Sequence, residues 1–256
     1  MSERPESGES NRPSLACAFP PGRELPRYAR LAEELGYERI WLYDSPALYG
    51  DIWMAMVRVA EETSAIGLGT GVAVPSLRHV MVSASAISTI EELAPGRLVV
   101  AFGTGFTARQ AMGQSPMRWA DLASYVTKLR ALLNGRVVEV DGAQCQMIQS
   151  PGFGSPRPIN VPLLVAPIGP KGFGVAQEVA DGVVLAIEPA APIAGRWPIR
   201  ALLVTGTILQ AGEDHTSLRV RNALGPAFTT SYHAVWQWGG EAVDQMPGGA
   251  EWRARI

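Results

Sequence analysis

The sequence predicts an α/β barrel of the (β/α)8 kind, with seven strands readable and an eighth not found. Three observations predict it. Apolar strands and amphipathic helices alternate with short links, which implies parallel strands joined by right-handed crossovers. The run Leu98-Val99-Val100-Ala101-Phe102 is apolar without a break, the pattern of a strand buried on both faces. No Gly-x-Gly-x-x-Gly phrase opens the first helix, which favours a barrel over an open nucleotide-binding sheet.

Residues 1–13 are polar and carry no apolar run, so a disordered tail is expected ahead of a single barrel domain over 14–256. Strand 14–19 leads to helix 24–35, where Leu25, Tyr28, Leu31, Ala32 and Leu35 share one face and Gly36 marks the end. Strand 39–43 has Asp44 just past its end, and Asp51 is placed to cap helix 51–63. Strand 66–74 is rich in glycine; helix 80–93 follows, and Pro95-Gly96 turns the chain into strand 97–103. Helix 117–133 closes at Asn134-Gly135. An excursion over about 137–160 opens with a hairpin, 137–140 and 144–148, around Asp141-Gly142. Strands 161–166, 182–187 and 199–208 and helix 173–180 complete the readable barrel. Residues 216–241 read as mostly helical, interrupted at Gly225-Pro226, and the text then ends in a helix-like phrase. The barrel is therefore expected to lack its C-terminal unit.

Composition removes several function classes. The formal net charge is −2, so the clustered positive charge of a nucleic-acid surface is not expected. Cys17 and Cys145 are too few for a disulfide framework, and no apolar stretch reaches the ~20 residues of a membrane span, which together point to a soluble cytoplasmic protein. His79, His215 and His233 are scattered with no His-Glu-x-x-His phrase, so no metal site is expected. Ser45 and Ser76 lack the Gly-x-Ser-x-Gly elbow of a serine hydrolase.

In a parallel barrel the reactive groups gather on the loops after the strands. Here these are 19–22, 44–50, 71–78, 103–106, 168–172 and Glu188. Gly67, Gly69 and Gly71 alternate along strand 66–74 and leave one face bare, either as a platform for a planar ring or for close packing. Gly103-Thr104-Gly105-Phe106 and Gly169-Pro170-Lys171-Gly172 each follow a strand. The second leads into a helix, so its N–H groups and Lys171 form either a phosphate seat or an ordinary turn. Lys171 is one of only two lysines, with Lys128. Asp44 is a candidate acid, base or hydrogen-bond acceptor, with a structural cap as the competing role. Arg78 either holds an anion bidentately or pairs with a nearby carboxylate. Trp119, Tyr232 and Trp236 are candidate pocket walls, for which core packing is the default explanation.

Several phrases resemble one family in order and spacing. They are Ala32-Glu33-Glu34-Leu35-Gly36-Tyr37 with Ile40-Trp41-Leu42-Tyr43-Asp44, and Gly69-Thr70-Gly71-Val72 with Pro75 and Arg78. Leu93-Ala94-Pro95-Gly96-Arg97 before Gly103-Thr104-Gly105-Phe106, and Gly169-Pro170-Lys171 with Ala180-Asp181-Gly182, continue the series. Together they resemble the luciferase-like flavin- and deazaflavin-dependent oxidoreductases, within them the methylenetetrahydromethanopterin reductase-like members. The resemblance implies a TIM-type barrel that holds coenzyme F420 or flavin mononucleotide (FMN) at the strand ends. It implies cofactor contacts from Thr70, Gly71, Val72, Gly103, Thr104, Gly105, Ile168, Gly169, Pro170, Lys171 and Gly172, with a cis Gly71–Val72 peptide behind the ring. It also implies a small-molecule substrate beside Phe106, Trp119, Tyr232 and Trp236, a homodimer, and hydride transfer or monooxygenation. The text departs from the resemblance at Asp44, which is followed by Ser45 where many deazaflavin members carry histidine. The competing expectations are a catalytically inactive truncated barrel serving as partner subunit or ligand-binding protein, and a cofactor-free hydrolase on the same barrel.

Overall fold

The computed structural model describes residues 13–186 and 197–256, so the expected tail up to residue 12, Ile187 and Glu188 lie outside the described residues. The chain forms two compact units, Met1–Leu202 and Leu203–Ile256, and each is described by itself.

The first unit runs β1 (Ala16–Phe19), α1 (Leu25–Glu34), β2 (Arg39–Leu42), α2 (Ile52–Glu62), β3 (Gly67–Ala73), α3 (Val80–Leu93), β4 (Leu98–Phe102), α4 (Phe106–Gln110) and α5 (Trp119–Leu133). It continues through the hairpin β5 (Val138–Val140) and β6 (Ala143–Cys145) to β7 (Leu163–Val165), α6 (Gly169–Val179), β8 (Gly182–Leu185) and β9 (Ile199–Leu202). Seven strands pair in the order β1-β2-β3-β4-β7-β8-β9, every pair parallel. They form a curled half-barrel, as the strand–helix alternation predicts.

The strands divide their side chains between two clusters. Ile40, Leu42, Leu68, Leu98, Val100, Phe102, Leu163 and Val165 belong to the large core with helix residues such as Met56, Ile87, Leu122 and Leu129. Their alternates Val99, Ala101 and Leu164 form a second cluster with Trp41, Val72, Val184 and Ile199. Two buried faces at a period of two residues explain why β4 reads as an unbroken apolar run.

The second cluster decides the glycine stripe in favour of close packing. In register, Arg39 lies opposite Gly67 and Trp41 opposite Gly69. A Cβ on Gly67 would stand 2.8 Å from Arg39 Cζ, and one on Gly69 would stand 2.5 Å from Trp41 Cε3. The stripe is a set of holes that β2 fills, so no bare strip is left there for a ring. Only Gly71, at 3.2 Å from Trp41 Cβ, has a looser neighbour.

Local chemistry sets the element ends. Gly36 follows α1 with φ +78°. Asp51 caps α2, its Oδ1 accepting from the N–H groups of Trp53 (2.8 Å) and Met54 (3.0 Å). The Asp141-Gly142 turn has φ +52° and +80°, the double positive φ of a two-residue hairpin turn. Two boundaries differ from expectation: α6 starts at Gly169, with the Pro170-Lys171 phrase inside its first turn, and β9 ends at Leu202. Pro170 is compatible with that early start because its missing N–H is unbonded in any first turn. The face expected for α1 is also displaced: Leu25, Ala29 and Ala32 are buried, whereas Leu31 and Leu35 are exposed.

Glu33 ties α1 to the entry of β3. Its carboxylate accepts from the N–H groups of Ser64 (3.0 Å), Ala65 (2.5 Å) and Ile66 (2.8 Å). Partial burial raises the carboxyl pKa, but these three bonds and Arg97 more than offset it and hold it below the ordinary range. The sign follows from linkage: the stabilisation is complete above the unfolded pKa and is lost as pH falls through the lower folded pKa. Glu33→Gln is expected to cost about 1 kcal/mol at neutral pH and to flatten the acid limb of stability below about pH 5. Urea unfolding at a series of pH values checks both.

In the second unit, α7 (Leu218–Gly239) runs without the interruption expected at Gly225-Pro226. Ser217 caps it, its Oγ accepting from Val220 N–H at 3.3 Å. The 3-10 segment Gly240–Gln245 and α8 (Gly249–Arg253) pack back on the helix. Tyr232 and His233 meet the Trp252 ring edge to face at centroid distances of 5.6 and 4.8 Å. Arg253 lies 5.7 Å from the Trp236 ring. Within the described residues, no helix is long and apolar enough to cross a membrane.

Candidate functional site

The loops after β2, β3, β4 and β7 converge at the carboxyl ends of adjacent strands, the end where parallel barrels place their chemistry. Asp44 is 4% exposed and fully engaged. Arg78 grips it bidentately, Nη1 to Oδ2 at 2.7 Å and Nη2 to Oδ1 at 3.0 Å, while Val74 N–H donates to Oδ2 at 3.1 Å. The same Nη2 donates to Asp51 at 2.8 Å. Tyr125 adds a third element, its Oη 2.7 Å from Ser83 Oγ and donating to the Arg78 carbonyl at 3.3 Å.

The electrostatics follow from that geometry. Burial disfavours the Arg78 charge, but the hydrogen bonds and fields of Asp44 and Asp51 more than offset it and raise its pKa. Burial likewise works against the Asp51 charge, and the Arg78 bond outweighs it, so that carboxyl is held low. Burial pushes the Tyr125 phenol up. With both oxygens occupied, Asp44 has the geometry of the ion-pair alternative rather than of a proton carrier.

The Gly71–Val72 peptide is cis. Thr70 is fully buried, and its Oγ1 lies 2.8 Å from both the carbonyl and the N–H of Ala101, bridging β3 to β4 beside a register shift. Pairing between the strands consumes the hydroxyl, so a cofactor contact from Thr70 would be made by its backbone. Val72 is half-buried and faces Gly103, where a Cβ would lie 2.6 Å from Val72 Cγ2. Gly105 has φ +83° and starts α4. Thr104 is buried, and its carbonyl accepts from Met117 N–H at 2.9 Å, tying this turn to the start of α5.

The first turn of α6 is open. Gly169 has φ +64° with nothing within 4 Å of its Cβ position, and Ile168, Pro170 and Lys171 are exposed. Gly172 is the exception: a Cβ there would stand 2.7 Å from the Trp119 indole, which braces the turn from below. Phe106 begins α4 and is half-buried. The structure thus groups Val72, Gly103, Thr104, Gly105, Phe106, Trp119 and residues 168–172 on neighbouring loops. Tyr232 and Trp236 have partners inside their own unit instead, with Tyr232 Oη donating to the Pro247 carbonyl. The contacts described for these two are packing contacts, the default explanation for an aromatic pair on one helical face.

Sequence reasoning missed Arg109, Ser83 and Tyr125. Tyr125 sits at helical spacing with core residues and reads as packing, while α4 is too short to show periodicity. Two surface hollows lie away from these loops. One of about 400 Å³ is lined by Met81, Ser85 and residues 146–149, and one of about 560 Å³ by Gln177, Asp181 and Trp197. Among the described residues no cluster of His, Cys, Asp and Glu has the make-up of a metal site.

Comparison with known proteins places this geometry among others. The sequence profile described as luciferase-like monooxygenase matches residues 3–199. The chain is 31% identical over 175 residues to 5,10-methylenetetrahydromethanopterin reductase of Methanolobus tindarius, covering 64% of this chain and 50% of the relative. It is 30% identical over 183 residues to F420-dependent glucose-6-phosphate dehydrogenase of Beutenbergia cavernae, covering 63% and 52%. The chain thus spans about half the length of these relatives. In fold, it matches the oxygenating constituent of 3,6-diketocamphane monooxygenase from Pseudomonas putida, solved with FMN. That match has a TM-score of 0.67 at 12% identity and covers 93% of this chain and 80% of that one.

Proposed function

The chain belongs to the luciferase-like monooxygenase family, and from that premise we propose that it is an oxidoreductase acting on a small organic molecule with coenzyme F420 or FMN. The observation that carries the reading is the open first turn of α6. Its N–H groups and Lys171, which makes no ion pair with any described residue, stand at the end of β7, the strand paired with β4. Gly172 rests on Trp119 at the start of α5, which Met117 N–H ties to Thr104 of the Gly103–Gly105 turn. N–H groups at a helix start attract a phosphate, and a lysine adds charge. The residues present therefore fit the phosphate end of either cofactor.

When bound, the ring supplies hydride transfer, or oxygen activation in the flavin case. In this proposal Gly169 and Lys171 hold the phosphate by N–H groups and charge, Ile168 and Pro170 flank it, and Gly172 sets the turn against Trp119. Gly71, Val72, Gly103, Thr104 and Gly105 form the wall behind the ring, with Thr70 contributing through its backbone. Phe106 and Trp119 line the way in and exclude water. Asp44 has a positioning role: it fixes Arg78 and the loop after β3. The F420 in the name of the Beutenbergia relative and the FMN-bound fold match support the cofactor assignment. Residues 14–256 are read as one functional domain, in a cytoplasmic homodimer.

Titration of FMN and of F420, followed by quenching of ring fluorescence, tests the proposal. One of the two rings is expected to bind at micromolar concentration, and Lys171→Gln to weaken it by about 5–10-fold, or roughly 1 kcal/mol. If neither ring binds, the oxidoreductase reading falls.

A further inference from the structure

Arg109 is a fixed cation with no counter-ion among the described residues. Its stem crosses Gly105, where a Cβ would stand 2.9 Å from Arg109 Cγ and 2.6 Å from Val74 Cγ1, so the bare glycine is what lets the side chain lie there. Nε donates to the Ser115 carbonyl and Nη1 to Ser76 Oγ, both at 2.5 Å. Those anchors come from the 3-10 turn after β3 and the segment after α4, so two loops set the guanidinium plane. Both acceptors are neutral. Arg109 makes no ion pair with any described residue, whereas nearby Arg118 is paired with Asp121 at 2.8 Å. A guanidinium has five N–H donors in a planar fork, and two anchors leave an edge for a carboxylate or phosphate.

Resting on the function proposed above, we infer that Arg109 receives the anionic group of the substrate, which is therefore a small organic carboxylate or phosphate ester. The position separates this anion from the cofactor phosphate. Ser76 draws the guanidinium toward the β3 side of β4, while the open turn of α6 follows β7 on the other side. Neighbouring strands are about 4.8 Å apart, so the two anion sites stand about 10 Å apart across the strand ends. Arginine suits the role because its charge persists at any working pH and its fork holds a planar anion in one orientation.

The test compares benzoate with the isosteric, uncharged benzamide, titrated against the purified chain and followed by tryptophan fluorescence. The wild type is expected to prefer benzoate by about 10-fold, or roughly 1.4 kcal/mol. Arg109→Gln is expected to abolish the preference, Arg109→Lys to retain part of it, and Arg118→Gln to leave it intact. Affinity for FMN and F420 is expected to stay within about 2-fold in Arg109→Gln, because a distant anion contributes little through solvent. Persistence of the benzoate preference in Arg109→Gln overturns the inference. So does a loss of cofactor affinity matching the loss of benzoate, since the anion would then be the cofactor's own. Should Arg109→Gln fail to fold, Arg109→Lys and Ser76→Ala carry the test, and an unchanged preference in both overturns it. Failure of both rings to bind the wild type defeats the oxidoreductase reading but not the anion site, because the benzoate arm is read without them.

Discussion

Asp44→Ala is expected to destabilise the chain by about 3–5 kcal/mol, the loss typical of breaking a buried ion pair and leaving one charge behind. Asp44 is buried and the Arg78 side chain is only 13% exposed, so solvent cannot replace the missing carboxylate. Asp51, with its side chain 40% exposed, retains one arm of the guanidinium and keeps the loss toward the lower end. The deletion also orphans the Val74 N–H, on the loop that leaves β3. Cofactor affinity should therefore fall together with stability. Asp44→Asn separates this from proton transfer. A positioning carboxylate predicts a weaker cofactor complex with an unchanged pH profile of turnover. A proton carrier predicts normal affinity, a collapsed kcat and the loss of one limb of the profile. Thermal unfolding, cofactor titration and a pH–rate series on the two variants discriminate the outcomes.

What the sequence disclosed about this region depended on how far apart the interacting residues lie. Asp51 and the Asp141-Gly142 turn were legible because cap and turn act within a few residues. The parallel sheet was legible because burial on both faces writes itself into each strand separately. Arg78 was legible only as a choice between an anion and an ion pair, since Asp44 is 34 residues away and nothing local favours either. Arg109 was not legible at all. Its meaning lies in two neutral oxygens on separate loops and in a glycine that makes room for its stem, and none of these leaves a periodic mark. The glycine stripe of β3 was legible only as a choice between a platform and close packing, because the side chains that fill it come from the neighbouring strand, and register is a tertiary fact.

The filled stripe yields a graded prediction. Alanine at Gly182, Gly69 and Gly67 places the same methyl on the same barrel interior, yet the three costs should differ because the obstacles differ. At Gly182 the Cβ would lie 2.4 Å from the Ile199 carbonyl oxygen, which belongs to the strand paired with it. Backbone moves only if the β8–β9 ladder parts, so Gly182→Ala should cost about 3 kcal/mol or more, the top of the overpacking range. At Gly69 the obstacle is the Trp41 ring at 2.5 Å, a rigid plane that must tilt as a whole, for about 2 kcal/mol. At Gly67 it is the tip of Arg39, a flexible side chain held by bonds to the carbonyls of Leu68 (2.8 Å) and Arg97 (2.9 Å). Giving way there loosens hydrogen bonds without parting the sheet, for about 1 kcal/mol. Chemical denaturation of the cofactor-free protein measures all three. A platform for a planar ring predicts a different pattern, in which Gly69→Ala leaves the free protein's stability unchanged and removes cofactor affinity. Equal losses at the three positions, or stability spared at Gly69, would mean that Trp41 and Arg39 do not fill the stripe as the register requires.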